Sequence, residues 1–197
     1  MVATTRMELI KLKKRLVFAR RGHKLLKEKR DSMMKHFMTL IKRAKEAHRI
    51  TAELYKECDE LLREMAMYNT YRDLYITSFS GEQPLEVEAD YTNVMSIRVP
   101  TFKLEVPEYS PQYGDIAPKN TTLFFRKYRE LLIKTAELAS LEKGIRLMAD
   151  EIASTRRRVN ALEHVLIPKF EKNAKTICMK LDELERSMFS TLNRISE

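Results

Sequence analysis

The sequence predicts an all-α fold: a long antiparallel two-helix coiled coil, or helical hairpin, with a small β-hairpin head in the segment that connects the two helices. Only four glycines and six prolines interrupt the 197 residues, and five of the prolines fall within residues 78–118. On either side of that segment, apolar residues recur at alternating steps of three and four, which is typical of a helix that packs one stripe against a partner helix. We therefore divide the chain into an N-terminal long helix at 1–77, a connecting head at 78–118 and a C-terminal long helix at 119–197.

The apolar stripe of the first helix continues for about nine heptads without a proline. A helix of that length spans about 100 Å at 1.5 Å per residue, which no compact domain of this size would contain. Four positions in the stripe are polar, and they are either register-setting positions or side chains that reach the edge of the seam. The stripe consists of Leu9, Leu12, Leu16, Ala19, His23, Leu26, Arg30, Met33, Phe37, Leu40, Ala44, Ala47, Thr51, Leu54, Cys58, Leu61, Met65, Tyr68, Arg72 and Tyr75.

The second helix repeats the pattern with two register slips. A stammer at Leu138 and a stutter at Leu166 would change the supercoil locally. Pro168 lies in the second slip and removes a backbone donor, which predicts a kink there. The stripe consists of Phe124, Tyr128, Leu131, Thr135, Leu138, Leu141, Ile145, Met148, Ile152, Thr155, Val159, Leu162, Leu166, Phe170, Ile177, Leu181, Leu184, Met188 and Ile195.

The connecting segment shows the alternation of a β-hairpin. Apolar side chains alternate with acidic ones, and alternate again after Thr92-Asn93, which we predict as the turn. A lone hairpin is marginally stable, so this one should pack against the coil or against a partner. The alternating residues are Leu85, Val87, Ala89, Tyr91, Met95, Ile97 and Val99.

Two helices of similar length that flank a compact turn should fold back antiparallel, with Tyr75 near Phe124 and Leu9 near Leu192. That register places the basic segment from Lys13 to Arg30 alongside a stretch with several carboxylates. Exposed ion pairs contribute only about 0 to 1 kcal/mol each, so the apolar seam must supply most of the stability. The carboxylates expected to neutralise the segment in part are Glu171, Asp182, Glu183 and Glu185.

Charge is distributed unevenly along the chain. The net charge is +9, residues 1–30 alone carry a local +9, and residues 78–118 carry a local −5. A basic end of this kind attracts nucleic acid, an anionic membrane or an acidic protein surface, and charge alone does not choose between them. No stretch has the roughly 20 apolar residues of a membrane span, and the N-terminus lacks a signal peptide core, so we expect a soluble intracellular protein. Cys58 and Cys178 are interpreted as buried small hydrophobic residues in a reducing compartment.

No chemistry of its own is predicted for the chain. The four histidines lack the spacing of metal ligands, no phosphate-binding loop occurs, and no nucleophile, base and orienting group can be assembled. We therefore expect no catalytic residues, no cofactor and no metal site. The histidines are His23, His36, His48 and His164.

Three segments resemble the D subunit of the V-type and A-type ATPases. They read RGHKLLKEKRD at 21–31, TRRRVNALE at 155–163 followed by Ile167-Pro168, and LDELER at 181–186. Their order and their position at the two ends of a helical hairpin fit that family over nearly the whole chain. The resemblance implies a non-catalytic central shaft, or rotor, of a rotary ATPase that moves protons or sodium ions.

The resemblance also implies partners and a location. The paired terminal helices would enter the hexamer of A and B subunits. The lower part would bind the F subunit of the central stalk and the rotor collar, which is formed by the C or d subunit above the membrane ring. The chain would then lie on the cytoplasmic face of the membrane as a peripheral part of the soluble V1/A1-type sector, without membrane insertion.

The region from Tyr55 to Tyr75, together with the hairpin, is the expected site for the F subunit. Several methionines lie on or near the seam. Their flexible side chains either fill the core or contact a partner helix. They are Met33, Met34, Met38, Met65 and Met67.

The candidate contact residues lie in the basic segments. Broad electrostatic attraction, rather than deep hot spots, suits a shaft that turns inside a hexamer. The first group, expected to face acidic loops in the bore, is Arg15, Arg20, Arg21, Lys24 and Lys27. The second group, which either contacts a partner or is simply solvated, is Arg156, Arg157 and Arg158.

The alternatives to a rotor are a static cytosolic coiled-coil scaffold or tether and a nucleic-acid binder. The scaffold shares the fold of the rotor, and only the family-like segments separate the two. The nucleic-acid interpretation lacks interleaved aromatic residues and any recognised reading module, so we expect no nucleic-acid partner.

Overall fold

The structure is a computed structural model that describes residues 5–72, 75, 85–106 and 120–196, with side chains to residue 194. The predicted fold class is confirmed: a long helical hairpin carries a small two-stranded antiparallel sheet between its helices. Residues 78–84 and 107–118 of the predicted connecting head lie outside the described residues, as does the side chain of the predicted seam position Ile195. The elements are α1 at Arg6–Tyr68, β1 at Glu86–Val94, β2 at Ile97–Glu105, α2 at Thr121–Ala161, a π turn at Leu162–Leu166 and α3 at Ile167–Ser196.

The chain divides into two compact units. The terminal unit comprises Met1–Met34 and Glu151–Glu197, and the central unit comprises Lys35–Asp150. Each unit contains a segment of α1 and a segment of the returning helix, and the central unit also contains the β-hairpin.

The predicted stripe of α1 is its packed face. Every predicted position from Leu9 to Met65 is buried or partly buried, and Met33 is completely enclosed. The stripe ends earlier than predicted, because Tyr68, Arg72 and Tyr75 are exposed. A narrow continuous stripe on a long helix buries apolar surface at every turn, which is the main stabilising contribution to such a pair.

Two polar positions of this stripe, Arg30 and Thr51, make their side-chain hydrogen bonds on α1 itself. The guanidinium of Arg30 donates to Asp31 at 2.7 Å, and its side chain is 28% exposed. The hydroxyl of Thr51 donates to the carbonyl of Ala47 at 2.8 Å. These contacts lie on α1 itself, so Arg30 and Thr51 satisfy their polar groups locally rather than across the seam.

The returning helix is buried or partly buried at most of its predicted positions. Five of them are exposed instead, two near the start of α2, one in the π turn and two near the end of α3. The buried ones are Leu131, Met148, Ile152, Thr155, Val159 and Ile177. The exposed ones are Tyr128, Thr135, Leu166, Leu184 and Met188.

A π turn lies where the stutter is predicted. The amide of Ile167 donates to the carbonyl of Leu162, five residues earlier, instead of four as in an α-helix. A π turn takes up one additional residue without ending the helix, and Pro168 follows directly where a backbone donor is missing. The extra residue of the stripe is therefore accommodated in one widened turn.

The helices pair antiparallel, but in a different register from the predicted one. In the terminal unit Arg6 contacts Glu185, so Leu9 lies nearer to Asp182 than to Leu192. In the central unit Phe124 packs against the cluster that contains Cys58, and the nearby Lys127 pairs with Glu57 rather than with a residue beside Tyr75. The predicted register aligns the ends of two stripes of similar length, whereas the buried stripe of α1 ends at Met65.

The hairpin is present, with its turn three residues later than predicted. Its strands pair from Glu86 opposite Glu105 to Val94 opposite Ile97, and Met95 and Ser96 form the turn. Both turn residues have positive φ, 53° and 72°, as a two-residue type I′ turn requires. Asparagine and glycine favour this conformation, which is why the sequence indicated Thr92-Asn93 as the turn instead.

The hairpin packs on α2 through its second strand. The amide of Phe102 donates to the hydroxyl oxygen of Ser140 at 2.8 Å. A Cβ on Gly144 would approach Cγ1 of Val99 to 3.0 Å, so a larger residue there would require Val99 to shift. Just beyond β2, Nε of Arg129 donates to the carbonyl of Val106 at 2.8 Å. The expectation that the hairpin packs on the coil is confirmed.

The two cysteines differ in environment, which corrects the expectation that both are buried. Cys58 is buried beside Leu54 and Leu131, whereas Cys178 is exposed. On a helix the next residue is rotated by about 100°, so the position after the buried Ile177 turns away from the seam. Burial raises the pKa of the Cys58 thiol, and the neighbouring carboxylate of Glu57 acts in the same direction.

Candidate functional site

All eight predicted contact residues are exposed and lie in the terminal unit. Five of them project from α1 and three from α2, and none occupies the apolar seam. The exposed surface of the terminal unit is therefore strongly basic. The α1 residues are Arg15, Arg20, Arg21, Lys24 and Lys27, and the α2 residues are Arg156, Arg157 and Arg158.

The five cations of α1 do not share one face. Arg20, Lys24 and Lys27 follow steps of four and three, so they lie together on one side of the helix. Arg15 lies about 140° around the helix from Arg20, on the other flank of the seam. Arg21 lies roughly opposite the seam. These side chains thus cover most of the exposed circumference.

Contacts between the two helices of the terminal unit place the basic residues of α1 and those of α2 at the same position along the helix pair. Nε2 of His23 lies 3.3 Å from a carboxylate oxygen of Glu163, and Nζ of Lys29 lies 3.6 Å from Glu151. Between these contacts fall two α1 cations and three α2 cations. We call this set the basic band; it consists of Lys24, Lys27, Arg156, Arg157 and Arg158.

The basic band lacks a neutralising partner. Within the described residues, no carboxylate forms an ion pair with any of its five members. Three consecutive residues on a helix span about 200°, so the arginines of α2 are spread around its outer side. The band therefore presents its positive charge over a wide arc rather than in one pocket.

Arg20 differs from the rest of the predicted group because it forms an ion pair within the chain. Its guanidinium donates to Glu171 at 2.7 Å, and farther along the same helix pair Arg6 contacts Glu185. Fourteen residues separate the contacts on each helix. The pairing of Glu171 with the basic segment is as predicted. Glu185 instead contacts Arg6, which precedes that segment, and Glu183 lies 3.7 Å from Arg186 of its own helix.

A second surface, in the central unit, is apolar and aromatic. The exposed side chains of α1 there include Tyr55 at 63%, Leu62 at 48% and Met67 at 82% exposure. Beyond the end of α1, the rings of Tyr71 and Tyr75 stack with centroids 6.3 Å apart. The sequence indicated this same region as the site for the F subunit.

The methionines on or near the seam divide into two groups. Met33 and Met65 are buried and fill the core of their units. Met34, Met38 and Met67 are exposed, so their side chains are accessible to a partner.

A cavity of about 430 Å³ lies within the central unit between α1, the hairpin and α2. Its wall is mainly apolar, from Leu40, Leu141 and Val99, and the charged side chains at its edge are Arg43 and Glu137. Among the described residues, no group of three or more histidine, cysteine or acidic side chains is placed to hold a metal ion.

No helix in the described part of the chain is both long enough and apolar enough to cross a membrane.

Sequence reasoning missed four residues that position these surfaces. Glu151 of α2 and Glu163 of the π turn contact α1 on either side of the basic band, and Ser140 and Gly144 hold the hairpin. Each glutamate lies next to a buried or partly buried seam residue, a signal for cross-helix pairing. An isolated glycine inside a helix pattern was also a signal of close approach.

Comparison with known proteins gives one consistent result. Residues 8–197 match the family model for the D subunit of ATP synthase. The chain is 42% identical over 205 residues to the V-type ATP synthase D subunit of a Thermoanaerobacter species, covering 100% of this chain and 95% of the relative. It is 40% identical over 205 residues to the protein of the same name from Fusobacterium nucleatum, with the same coverage. A third relative of that name, from Clostridium botulinum, is 40% identical over 204 residues, covering 98% of this chain and 93% of its own length.

Proposed function

Because the chain belongs to the family of ATP synthase D subunits, components of V-type rotary ATPases, we propose that it is the central shaft, or rotor, of such a complex. In this role it transmits torque between the hexamer of A and B subunits and the ion-translocating membrane ring. It performs no catalysis itself. The observation that carries the proposal is the unbroken 63-residue helix α1 with its continuous buried stripe.

Stiffness is the physical reason for this assignment. A helix that is packed along one stripe at every turn cannot bend without separating buried side chains, and interiors packed in this way resist deformation. In each unit the seam contains fully or almost fully buried residues, such as Met33 and Val159 in the terminal unit and Met148 in the central unit. A helix pair of this construction transmits twist along its length.

The basic band is the proposed contact with the hexamer. A bearing needs attraction that is similar at many angles, and five unpaired cations spread over a wide arc supply it through long-range electrostatics. Arg15 and Arg21 extend the positive surface, whereas Arg20 is partly neutralised by Glu171. The partner surface on the A and B subunits is accordingly acidic.

The aromatic surface of the central unit is the proposed site for the F subunit. Its tyrosines provide large apolar area with a polar tip, which is typical of protein interfaces. The rotor collar, formed by the C or d subunit, is the second partner proposed for the lower part of the shaft. The chain then lies at the cytoplasmic face of the membrane as a peripheral component that does not enter the bilayer.

Rotation of a probe on the chain tests the rotor assignment. With Cys58 and Cys178 replaced by serine, Glu88→Cys provides one exposed attachment point for a bead on an immobilised complex. We expect stepwise rotation in one direction when ATP is supplied. A bead that stays still while the same complexes hydrolyse ATP would show that the chain is a static scaffold, which is the second candidate function.

Two charge-reversal variants, each with three substitutions, test the basic band separately. The triple change of Arg156, Arg157 and Arg158 to glutamate should weaken binding to the isolated hexamer by at least about tenfold, because attraction becomes repulsion. The matched control reverses three exposed lysines of the central unit, with the same change in net charge. Equal weakening by both triples would contradict a specific role for the band. The control lysines are Lys42, Lys45 and Lys56.

A further inference from the structure

The outer edge of β1 has free hydrogen-bonding groups. In a hairpin with a two-residue turn, the residues that flank the turn form a hydrogen-bonded pair, and bonded and non-bonded pairs then alternate along the strands. Val94 and Ile97 flank this turn. It follows that the backbone N–H and C=O groups of Val87, Ala89 and Tyr91 point away from β2.

The second strand verifies this assignment. By the same alternation, the main-chain groups of Pro100 and Phe102 point away from β1, towards α2. The amide of Phe102 indeed donates to Ser140, and proline has no amide that would need a partner. The outer edge of β2 is therefore covered by α2 at these positions, with its donors satisfied.

The edge of β1 has no such cover. Within the described part of the chain, no residue forms a hydrogen bond with the outward main-chain groups of Val87, Ala89 or Tyr91. Every residue of β1 except Val94 is exposed. An open edge of this kind is a template for an added strand.

One face of β1 is acidic. Glu86, Glu88 and Asp90 alternate along it, and the strand contains no lysine or arginine. Asp90 is paired with Nζ of Lys103 at 2.9 Å. Glu86 lies directly opposite Glu105, and like charges in that position repel each other. A cation placed beside this face would relieve the repulsion.

The other face of β1 is apolar and exposed. Val87 is 60% exposed and Tyr91 is 69% exposed, with Ala89 between them. A strand added to the edge would place its own side chains alternately beside the acidic face and beside this apolar face, because the side-chain period of a strand is two.

From these observations we propose that the edge of β1 binds an extended segment of another protein in which lysine or arginine alternates with apolar residues. The segment pairs with β1 as a third strand through the outward groups of Val87, Ala89 and Tyr91. Its cations lie against Glu86 and Glu88, and its apolar side chains cover Val87 and Tyr91. This partner is additional to the contacts of the basic band, which would repel it.

A peptide of defined pattern tests the proposal on the full-length chain. The probe is the capped, fluorescently labelled peptide Lys-Val-Lys-Val-Lys-Val-Lys, and the control has the same composition in the order Lys-Lys-Lys-Lys-Val-Val-Val. Because the whole chain carries a net charge of +9, most of its surface repels both peptides. We expect the alternating peptide to bind at least about tenfold more tightly, since only it matches both faces. Equal binding of the two would overturn the proposal and leave the acidic residues as protection against aggregation.

Two variants locate the binding site. Ala89→Pro removes one outward donor while leaving the bonds between β1 and β2 intact, and it should weaken binding by about tenfold; Ala89→Ser keeps the amide and should not. Slow hydrogen exchange of the inward amide of Asp90 verifies that the hairpin persists in each variant.

If Ala89→Pro disrupts the hairpin, the double variant Glu86→Lys, Glu88→Lys provides an independent result. It should abolish the preference for the alternating lysine peptide over the control peptide, because the cations of that peptide would then lie beside lysines. An unchanged preference would place the peptide elsewhere on the chain and contradict the proposal.

Discussion

Val99 approaches Gly144 so closely that a Cβ on the glycine would lie 3.0 Å from Cγ1 of the valine. This contact joins β2 to α2 in the middle of a helix, where glycine otherwise costs stability relative to alanine. The hairpin and the helix are thus fitted to each other at the cost of helix propensity.

A pair of glycine substitutions measures that cost. Gly22→Ala should raise the free energy of unfolding by about 0.5 to 1 kcal/mol, because nothing lies within 4 Å of the new methyl group and helix propensity improves. Gly144→Ala should gain less or lose stability, because Val99 must move. In a Val99→Ala background the substitution at Gly144 should recover most of the gain relative to that background. Urea denaturation of these variants checks this, and equal gains at both glycines would contradict the tight contact.

The hydroxyl of Ser140 should stabilise the attached hairpin. Ser140→Ala removes the acceptor of the Phe102 amide, so we expect a loss of about 1 kcal/mol and faster hydrogen exchange at Phe102. Ser187→Ala is the control, because that hydroxyl donates to the carbonyl of Leu184 on its own helix. Unchanged exchange at Phe102 would mean that this hydrogen bond does not hold the strand.

The seam, rather than the exposed ion pairs, should determine stability. Met33→Ala empties a fully enclosed position and should cost about 2 to 5 kcal/mol. Arg20→Gln breaks the pair with Glu171, in which both side chains are about half exposed, and should cost less than about 1 kcal/mol. Thermal and urea denaturation of both variants measure the two effects. A larger loss for Arg20→Gln would reverse this assignment.

The two thiols should react at very different rates. Cys178 is exposed and should be labelled rapidly by a maleimide in the native chain, whereas Cys58 is buried and should be labelled only after denaturation. The Cys178→Ser variant isolates the slow reaction, and labelling in denaturant provides the reference for complete modification. Rapid native labelling of that variant would show that the central seam opens readily.

Burial of Cys58 also predicts a dependence of stability on pH. Because burial raises the pKa of this thiol in the folded chain, its full contribution to stability is present below the ordinary thiol pKa. The contribution is lost as pH rises through the raised pKa, since the unfolded chain releases the proton more easily. The Cys58→Ala variant should therefore lose less stability between neutral and alkaline pH than the parent, as measured by denaturation at several pH values.

The seam of α1 was predictable because its period is a property of the sequence itself: residues such as Leu12, Met33 and Leu54 recur at coiled-coil spacing and are buried in the structure. The register was not predictable in the same way. If one stripe shifts along the other by a whole heptad, apolar residues still face apolar residues, so the pattern alone does not fix the register. The pairs that fix it, such as Lys127 with Glu57 at 2.9 Å, depend on three-dimensional placement.

The basic residues of the candidate site were recognisable as charge runs, but their assembly was not. That Lys24 and Arg157 lie at one level follows from two contacts of α1, His23 with Glu163 of the π turn and Lys29 with Glu151 of α2. The hairpin turn was misplaced for a local reason. Met95 and Ser96 adopt positive φ without the asparagine or glycine that usually signals it.

The strained turn at Met95-Ser96 has a consequence for motion. Non-glycine residues in the left-handed region cost roughly 1 to 2 kcal/mol each, so this hairpin closes at a disadvantage that the neighbouring helices do not share. Elements with few buried contacts and strained ends open locally at lower free energy than a packed helix pair. We therefore expect the amides of β1 and β2 to exchange with solvent faster than those of the seam of α1 while the helices remain folded.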